Sequence, residues 1–477
     1  MRKKGSVTVF LTLILSLLLS LICASIESVR MASARTQILN GMDIGLYSLF
    51  GQYDKELLTD YDLFALDGSR GGGQLDLAAV CDELEAYMNP VLKQNSQKLT
   101  LCQSGLTGYR LLTDQKGEAF YQQIVGYMQE TLGSQGIQLL LGRMSERQEK
   151  TAQADQSANQ AQSKGSIDRY DSEMNQASEK SQQAAEEVQV VPQAPPAKNP
   201  ITIMKRIMKR GVLELVLPGG NGLSTKEIEK GTLVSGRGLQ QGMEMPDGMT
   251  VENSYTSEVL FQQYLMEHLG SYAEPSSTGL AYQVEYIFGG KDSDEDNLKA
   301  VASKLLFIRE GVNFACLMAD NVKRSEAQAL ATAIASGFLV PPAAVIIEAA
   351  LILCWAFAES VLDVRELFAG GRIPLVKSSG DWQISLENLP DLMEGLDSMR
   401  RNDEKGMSYK DYLQVLVLTV SKEKKVMRAM DMIENTIREK GRKNFCMDSC
   451  IVALEAFADV KANKKKDFQV IRQYCYE

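Results

Sequence analysis

Residues capable of acid–base or nucleophilic chemistry are sparse in this chain of 477 residues. There is a single histidine, His268, so a Ser-His-Asp arrangement would depend on it for every proton transfer. The sequence contains no H-E-x-x-H, G-x-S-x-G, Walker A or paired C-x-x-C motif. His268 falls near the end of a predicted helix over Ser254–Leu269, where an imidazole commonly meets free carbonyls. We predict no catalytic residue, no cofactor and no enzymatic activity.

The one segment that resembles a cation site is KDSDEDNLKAVAS, which begins like a calcium-binding EF-hand loop. Its alternating carboxylates are Asp292, Asp294 and Asp296. The sixth position is Asn297 where that loop needs glycine, and the twelfth is Ser303 where it needs a bidentate glutamate. Helix capping explains the acidic run better, with Ser293 as N-cap and carboxylates at the positive end of the helix dipole. We predict no metal site here.

The cysteines lack the regular spacing of a disulfide framework or a zinc site. They are Cys23, Cys81, Cys102, Cys316, Cys354, Cys446, Cys450 and Cys475. Most are expected to be small buried thiols. A bridge from Cys475 to Cys446 or Cys450 is the main exception, and zinc at these three lacks an evident fourth ligand.

The organising element is at the N-terminus. Gly5 to Ile26 is a run of 22 residues without a charge, long enough for a helix to cross a bilayer, and basic residues precede it. These features predict a single-pass anchor with a cytoplasmic N-terminus and most of the chain outside the cell. A cleaved signal peptide is the alternative, with Cys23 and Ser25 small enough for a cleavage site.

The helical pattern continues beyond the apolar run. An apolar stripe recurs every three or four residues at Leu39, Met42, Leu46, Leu49, Phe50, Tyr53 and Leu57, which predicts one uninterrupted helix. Gly41 and Gly45 are four residues apart on it, a spacing that lets two helices approach closely. We predict self-association or partner binding there; the alternative is that these glycines accommodate the protein's own domain.

The N-terminal residues also carry a family resemblance. RKKGSVTVF, the apolar segment and SVRMASARTQILNGMDIGLYSLFGQY resemble the start of TadG-like proteins of tight-adherence pilus assembly. The matching residues are Gly5, Ala34, Arg35, Ile38 and Leu39. Phe10 stands where pilins usually carry a glutamate, which argues against processing by a prepilin peptidase. Later stretches resemble an uncharacterised domain family of Gram-positive bacteria that shares this N-terminus.

The resemblance implies a structural accessory protein of a tight-adherence-type pilus or secretion apparatus at the bacterial cell membrane. Its implied partners are the membrane and other pilus or secretion proteins. The residues assigned to the anchor and the assembly face are Gly5, Phe10, Arg35, Gly41 and Gly45. An anchored surface module that binds a ligand or a cell-wall component is the alternative. A net charge of −10 argues against a nucleic-acid partner, because phosphate binding needs a basic face.

Composition and periodicity predict an α+β protein. The predicted parts are a basic tip (1–4), a transmembrane helix (5–26), a membrane-proximal helical region (27–144), a low-complexity linker or loose helical insertion (145–200) and a helix-rich α+β domain (201–477). In the last part, Tyr282–Phe288, Ile451–Val460 and Phe468–Tyr476 alternate as strands of one small antiparallel sheet. Lys98–Leu112 reads as an extended segment.

One internal stretch, Ala343–Ala358, is apolar enough to be confused with a second span. It has 16 residues, fewer than the roughly 20 that a crossing needs, and contains Glu348. We therefore predict a core helix, with a second membrane span as the alternative.

Overall fold

The computed structural model describes residues 4–94, 99–163, 172, 176, 200–217, 222–243, 245, 254–337, 343–391, 406–462 and 466–476. The chain divides into two compact units. Unit 1 comprises Met1–Tyr127, Gly231–Glu252 and Ile433–Glu477, and unit 2 comprises Met128–Lys230 and Asn253–Met432. Unit 1 is therefore assembled from three separate parts of the sequence. Within residues 201–477, the segments Gly231–Glu252 and Ile433–Glu477 belong to unit 1, and the remainder belongs to unit 2.

Unit 1 packs two long helices against one face of an antiparallel sheet. Its elements are α1 (Lys4–Phe50), α2 (Lys55–Tyr61), β1 (Leu66–Asp67), α3 (Leu77–Lys93), β2 (Leu99–Leu111), β5 (Cys450–Ala462) and β6 (Lys466–Cys475). The core joins one side of α1 and α3 to the inward residues of the strands, such as Leu454, Ala456 and Val460. The predicted α+β class is confirmed.

Strand β5 is the centre of the sheet. It pairs antiparallel with β2 from Leu99↔Ala462 to Leu111↔Ile451, and with β6 from Ala453↔Cys475 to Ala462↔Lys466. Strand β1 adds a short pairing at Leu66↔Ile451. The last two predicted strands and the extended segment are thus confirmed, and all three meet in this one sheet.

Among the described residues of unit 2, the regular elements are helices and one short strand pair. Its elements are α5 (Pro200–Met208), α6 (Val212–Val216), α7 (Tyr255–His268), α8 (Gln283–Gly289), α9 (Asp294–Ala319), α10 (Asn321–Gly337), α11 (Ala344–Phe368), β3 (Arg372–Ile373), β4 (Met407–Ser408) and α12 (Tyr409–Leu418). The boundary between the two units falls within two further helices, α4 (Asp114–Ser163) and α13 (Lys422–Glu439).

The predicted strand over Tyr282–Phe288 is wrong, because this segment is helix α8. Every residue from Gln283 to Ile287 is buried, so polar and apolar positions do not separate onto two faces. The alternation in sequence therefore carried no information about a sheet. Gly290, in the left-handed conformation at φ 61°, ends the helix.

The N-terminal helix ends earlier than predicted. Helix α1 stops at Phe50, and α2 starts at Lys55 after Asp54, whose side chain accepts hydrogen bonds from the backbone N–H groups of Glu56 and Leu57. Asp54 has extended backbone geometry, so it begins a new helix instead of continuing the old one. The predicted stripe nevertheless faces the core as far as Leu57.

The segment predicted as a linker starts inside a helix. Helix α4 continues to Ser163, and its Ala154 and Ala158 are buried within unit 2. Lys304 Nζ on α9 lies 2.7 Å from Asp155 Oδ1 on α4. Apart from residues 172 and 176, the rest of the predicted linker up to residue 199 lies outside the described residues.

Two described helices are long and apolar enough to cross a membrane by length and composition, and they differ in burial. The apolar window of α1 is 0% buried, whereas that of α11 is 78% buried. Helix α11 contacts α9 and α10 within unit 2. It is therefore a buried core helix, as the sequence predicts for this stretch.

Candidate functional site

Helix α1 changes character along its length, and this makes it the strongest candidate for a functional element. Its apolar side chains from Val7 to Ile26 are exposed, Phe10 by 64%. From Ala34 onward, one face is buried in the core of unit 1. Arg35, on the far side, is exposed, and Gly5 lies in the first turn. One helix therefore presents apolar side chains along its first part and helps form a domain core with its second.

The two glycines of the predicted assembly face lie against helix α3 of the same chain. A Cβ atom added at Gly45 would be 2.7 Å from Met88 Cγ and 3.1 Å from Leu84 Cδ1. At Gly41 the nearest atom would be Leu92 Cδ2, at 3.3 Å. Close helix approach is thus their role here, as small residues permit, but the neighbour is α3. This is the alternative that the sequence left open.

The second half of α1 also contacts strand β6 and Tyr476, the residue directly after it, through aromatic and polar side chains. The ring centroids of Phe50 and Tyr476 are 4.8 Å apart, and Tyr476 Oη donates to the backbone carbonyl of Phe50 at 2.6 Å. Arg472 Nε lies 2.9 Å from Asp43 Oδ1. These contacts connect the helix to the C-terminal strand of the chain.

An open groove of about 740 Å³ in unit 1 contains clustered charges. Arg237 Nη2 lies 2.8 Å from Glu434 Oε2, and Arg438 Nη2 lies 2.7 Å from Glu434 Oε1. Arg237 also pairs with Asp448 at 2.5 Å. Because buried carboxylates already occupy both guanidinium groups, the cluster holds the segment around residue 237 onto unit 1 and offers few donors to a ligand.

A second cluster is buried in unit 2 between α9, α11 and the segment after α11. Arg309 donates from Nε and Nη2 to Asp363 Oδ2 at 2.9 and 2.8 Å. Lys377 Nζ contacts Asp363 and lies 2.5 Å from Glu359 Oε1. Burial would raise the pKa of Asp363, but the charges of Arg309 and Lys377 outweigh it and hold that pKa below its usual value.

Side chains of this cluster hold the backbone of the segment that follows α11 through hydrogen bonds. Arg309 Nη1 donates to the carbonyls of Pro374 and Leu375 at 3.0 and 2.8 Å. Glu359 accepts from the backbone N–H of Ile384 at 3.1 Å, and Trp355 Nε1 donates to the carbonyl of the same residue at 2.8 Å. Two buried cations oppose two buried anions, which makes the cluster neutral and suits it to a structural role.

Glu285 on α8 is a carboxyl group whose pKa is strongly raised although it belongs to neither charged cluster. It is fully buried, and its Oε1 accepts from Tyr409 Oη at 2.6 Å and from the backbone N–H of Tyr272 at 2.8 Å. Its Oε2 has no hydrogen-bond partner among the described residues. Burial raises the pKa of Glu285 to about 7, against the lowering effect of the two hydrogen bonds.

The stability of unit 2 is therefore expected to fall as pH rises from about 4.5 to 7. In that window the unfolded chain releases the Glu285 proton while the folded chain retains it, so the free energy of unfolding decreases by about 3 kcal/mol. Glu285→Gln cannot ionise and should lose this part of the pH dependence. Urea unfolding of both proteins at several pH values measures it.

The control for this prediction is Glu326→Gln on α10, whose side chain is exposed. It should keep the wild-type pH profile. Glu310, whose pKa burial also raises to about 7, contributes to the wild-type slope and remains in both variants. If Glu285→Gln has the same slope as wild type, Glu285 is already ionised in the folded protein at pH 5 to 7.

The other residues singled out from the sequence have structural contacts. His268 Nδ1 is 3.1 Å from the carbonyl of Tyr264, at the end of its helix as predicted. Ser293 is the N-cap of α9, and buried Asp294 accepts from the backbone N–H groups of Ala281 and Tyr282. None of the eight cysteines, all of them within the described residues, forms a disulfide bond. No group of three metal-ligating side chains occurs among the residues that the structure describes.

Sequence reasoning missed both Glu285 and the buried ionic cluster of unit 2. The cluster's charged members are spread from Arg309 to Lys377, so no local motif joins them. One signal was available: Glu359 and Asp363 are four residues apart in the largely apolar helix α11, and carboxylates on one face of a buried helix need partners. No local signal marks Glu285, because the alternation of its segment predicts a strand.

Comparison with known proteins gives a family but no activity. A family model described as a family of unknown function, DUF5702, matches residues 192–462, which is more than half of the chain. The match does not reach the N-terminal residues on which the TadG resemblance rests. No curated protein and no solved structure matches this chain. The chain therefore belongs to the DUF5702 family, a family of unknown function.

Proposed function

We propose that this protein is a single-pass, membrane-anchored structural protein whose helix α1 both crosses the bilayer and forms part of the core of unit 1. The observation that carries this proposal is the change of burial along α1. Val7 to Ile26 expose an apolar surface, and Ala34 to Phe50 bury one face in unit 1. Exposed leucine and valine side chains on all sides of a helix are costly in water and favourable in lipid.

The second half of α1 supports retention of the helix in the mature protein. Its buried residues, among them Ile38, Met42 and Leu46, contact α3 and the sheet. Cleavage near Ile26 would leave this second half in place. However, the apolar part and the core-forming part belong to one uninterrupted helix, which favours an anchor that is retained and continuous with unit 1. The basic residues Arg2 to Lys4 favour a cytoplasmic N-terminus, with the two units displayed outside the cell.

The more specific role, an accessory of a tight-adherence-type pilus or secretion apparatus, rests on the N-terminal resemblance alone. Exposed residues of α1 beyond the apolar run, such as Arg35 and Tyr47, are available for contacts with such partners. Recovery of pilus or secretion proteins with the full-length chain after crosslinking in its native membrane would support this role. Recovery of the chain without any of them would contradict it.

The anchor itself is tested by extraction and mass measurement. The full-length protein should remain in the membrane pellet at alkaline pH, and its mass should include residues 5–26. Leu15→Lys with Leu18→Lys should release it, because each lysine near the centre of a span costs about 2.5–3.5 kcal/mol. Val29→Lys, at a 69% exposed position beyond the apolar run, is the matched control and should stay in the pellet.

Two results would contradict the anchor. Extraction of the wild-type protein at alkaline pH would show peripheral attachment. A mature N-terminus at or near Ile26, next to the small residues Cys23 and Ser25, would show a cleaved signal peptide. A reporter that is active only after export, fused to the C-terminus, tests the orientation and should be active.

A further inference from the structure

We propose that the end of the β5–β6 hairpin, at Lys461, Ala462 and Lys466, binds anionic lipid headgroups of the bilayer that holds α1. This inference rests on the proposed anchor and adds a second, electrostatic contact with the same membrane. Strand β5 ends at Ala462 and β6 begins at Lys466, so these residues mark one end of the sheet of unit 1. The contact follows from the direction of β6, the position of the hairpin end and its charge.

The direction of β6 is given by its contacts with α1. Arg472 pairs with Asp43, and the Tyr474 ring contacts Tyr47 with centroids 6.5 Å apart. Further along, Tyr476 contacts Phe50. Residue numbers increase together on both elements, so β6 runs in the same direction as α1. The first residue of β6, Lys466, therefore lies towards the apolar end of the helix.

The distance of the hairpin end from the lipid follows from standard geometry. Lys466 precedes Arg472 by six residues, which is about 15–20 Å along α1 once strand tilt is allowed for. Counted back from Asp43 at 1.5 Å per residue, this position is level with about residues 30–33. That is about 6–11 Å beyond Ile26, the last residue of the apolar run. Burial agrees, because Ala34 is the first α1 residue buried in unit 1.

The charge at this level is positive. Lys461 and Lys466 are exposed on the hairpin, and Arg30 and Arg35 are exposed on α1. Among the described residues, the acidic side chains at this level are Glu27 on α1 and Asp467 on β6. Asp467 Oδ1 lies 3.7 Å from Lys461 Nζ. Four cationic side chains and two anionic ones thus lie at this level, although the whole chain carries a net charge of −10. The basic character is local to this end of unit 1.

A bilayer is the partner that these observations fit. The anchor holds the hairpin end permanently near the headgroups, so the effective concentration of lipid there is high and even weak contacts form. The separation is close to the Debye length of about 8 Å at physiological ionic strength, within which lysine is attracted to anionic lipid. Lipid contact at a second point would fix the tilt of unit 1 on the membrane, which α1 alone does not do.

The test uses the full-length protein in lipid nanodiscs and measures hydrogen–deuterium exchange at the end of β5 and the start of β6. Nanodiscs with about one-third phosphatidylglycerol are compared with purely zwitterionic ones. Exchange should be about fivefold slower with the anionic lipid, the factor expected for the attraction of one lysine, and high salt should remove the difference.

Charge reversal identifies the residues responsible. Lys461→Glu with Lys466→Glu should abolish the dependence on lipid charge. The control, Lys55→Glu with Lys443→Glu, makes the same charge change in unit 1. Lys55 follows the end of α1, about 40 Å beyond Ile26, and Arg442 beside Lys443 pairs with Asp54. Both control lysines are exposed. The control should keep the full lipid response.

The outcomes separate this inference from the proposed anchor. If the protein does not enter nanodiscs at all, the anchor fails and the inference fails with it. If it enters nanodiscs but hairpin exchange is the same in both lipids, the anchor stands and the headgroup contact is overturned. An equal loss of response in the hairpin and control variants would show attraction by net charge alone, which also overturns a contact at the hairpin end.

Discussion

Asp363→Asn is expected to destabilise unit 2 by about 3–5 kcal/mol, the usual cost of removing one partner from a buried ion pair. Arg309 and Lys377 would then be two buried cations with only Glu359 to oppose them. The chain segment after α11 should loosen as well, since Arg309 and Glu359 hold its backbone. Urea unfolding followed by tryptophan fluorescence measures the change.

The reporter groups for this experiment are native. Trp355 and Trp382 are the two tryptophans of the chain, both lie in unit 2, and their ring centroids are 5.9 Å apart. Asp155→Asn is the matched control, because its pair with Lys304 is about one-third exposed and should contribute at most about 1 kcal/mol. If the two variants lose the same free energy of unfolding, the burial of Asp363 does not make its ion pairs contribute more to stability than the exposed pair of Asp155.

Gly45→Leu is expected to destabilise unit 1 by about 3 kcal/mol through overpacking between α1 and α3. The first added atom would already lie 2.7 Å from Met88 Cγ, and leucine brings three more carbons. Helices α1 and α3 would have to separate, which also disturbs the sheet beneath them. Hydrogen exchange of α3 and β5 in the full-length protein measures the loss.

The control is Gly126→Leu in helix α4. None of the described residues packs within 4 Å of a Cβ atom at Gly126, so leucine should be neutral there or stabilise the helix by up to about 1 kcal/mol. Unchanged exchange in Gly45→Leu would show that α3 does not pack on this face of α1. Because Gly45 lies in the core, assembly contacts are better tested at Ile44, which is 47% exposed on the same helix.

Periodicity and end signals determined the local elements correctly where one face of an element is buried. The stripe from Met42 to Leu57 faces the core, and Ser293 caps α9 as its position before an acidic run indicates. The strands at Ile451–Val460 and Phe468–Tyr476 occur where the alternation predicts them. These features depend on residues near one another in the chain, so the sequence by itself was sufficient.

Tertiary contacts decided the rest. Gln283–Ile287 are buried all round, so helix α8 shows no helical period and its alternating residues predict a strand. The partner of Gly45 is Met88 on another helix, and the partner of Asp363 is Arg309, 54 residues away. The last strands join the N-terminal helix across more than 400 residues through Arg472 and Asp43. Such partners depend on how distant segments pack, because no local propensity encodes which buried surface or charge will meet another.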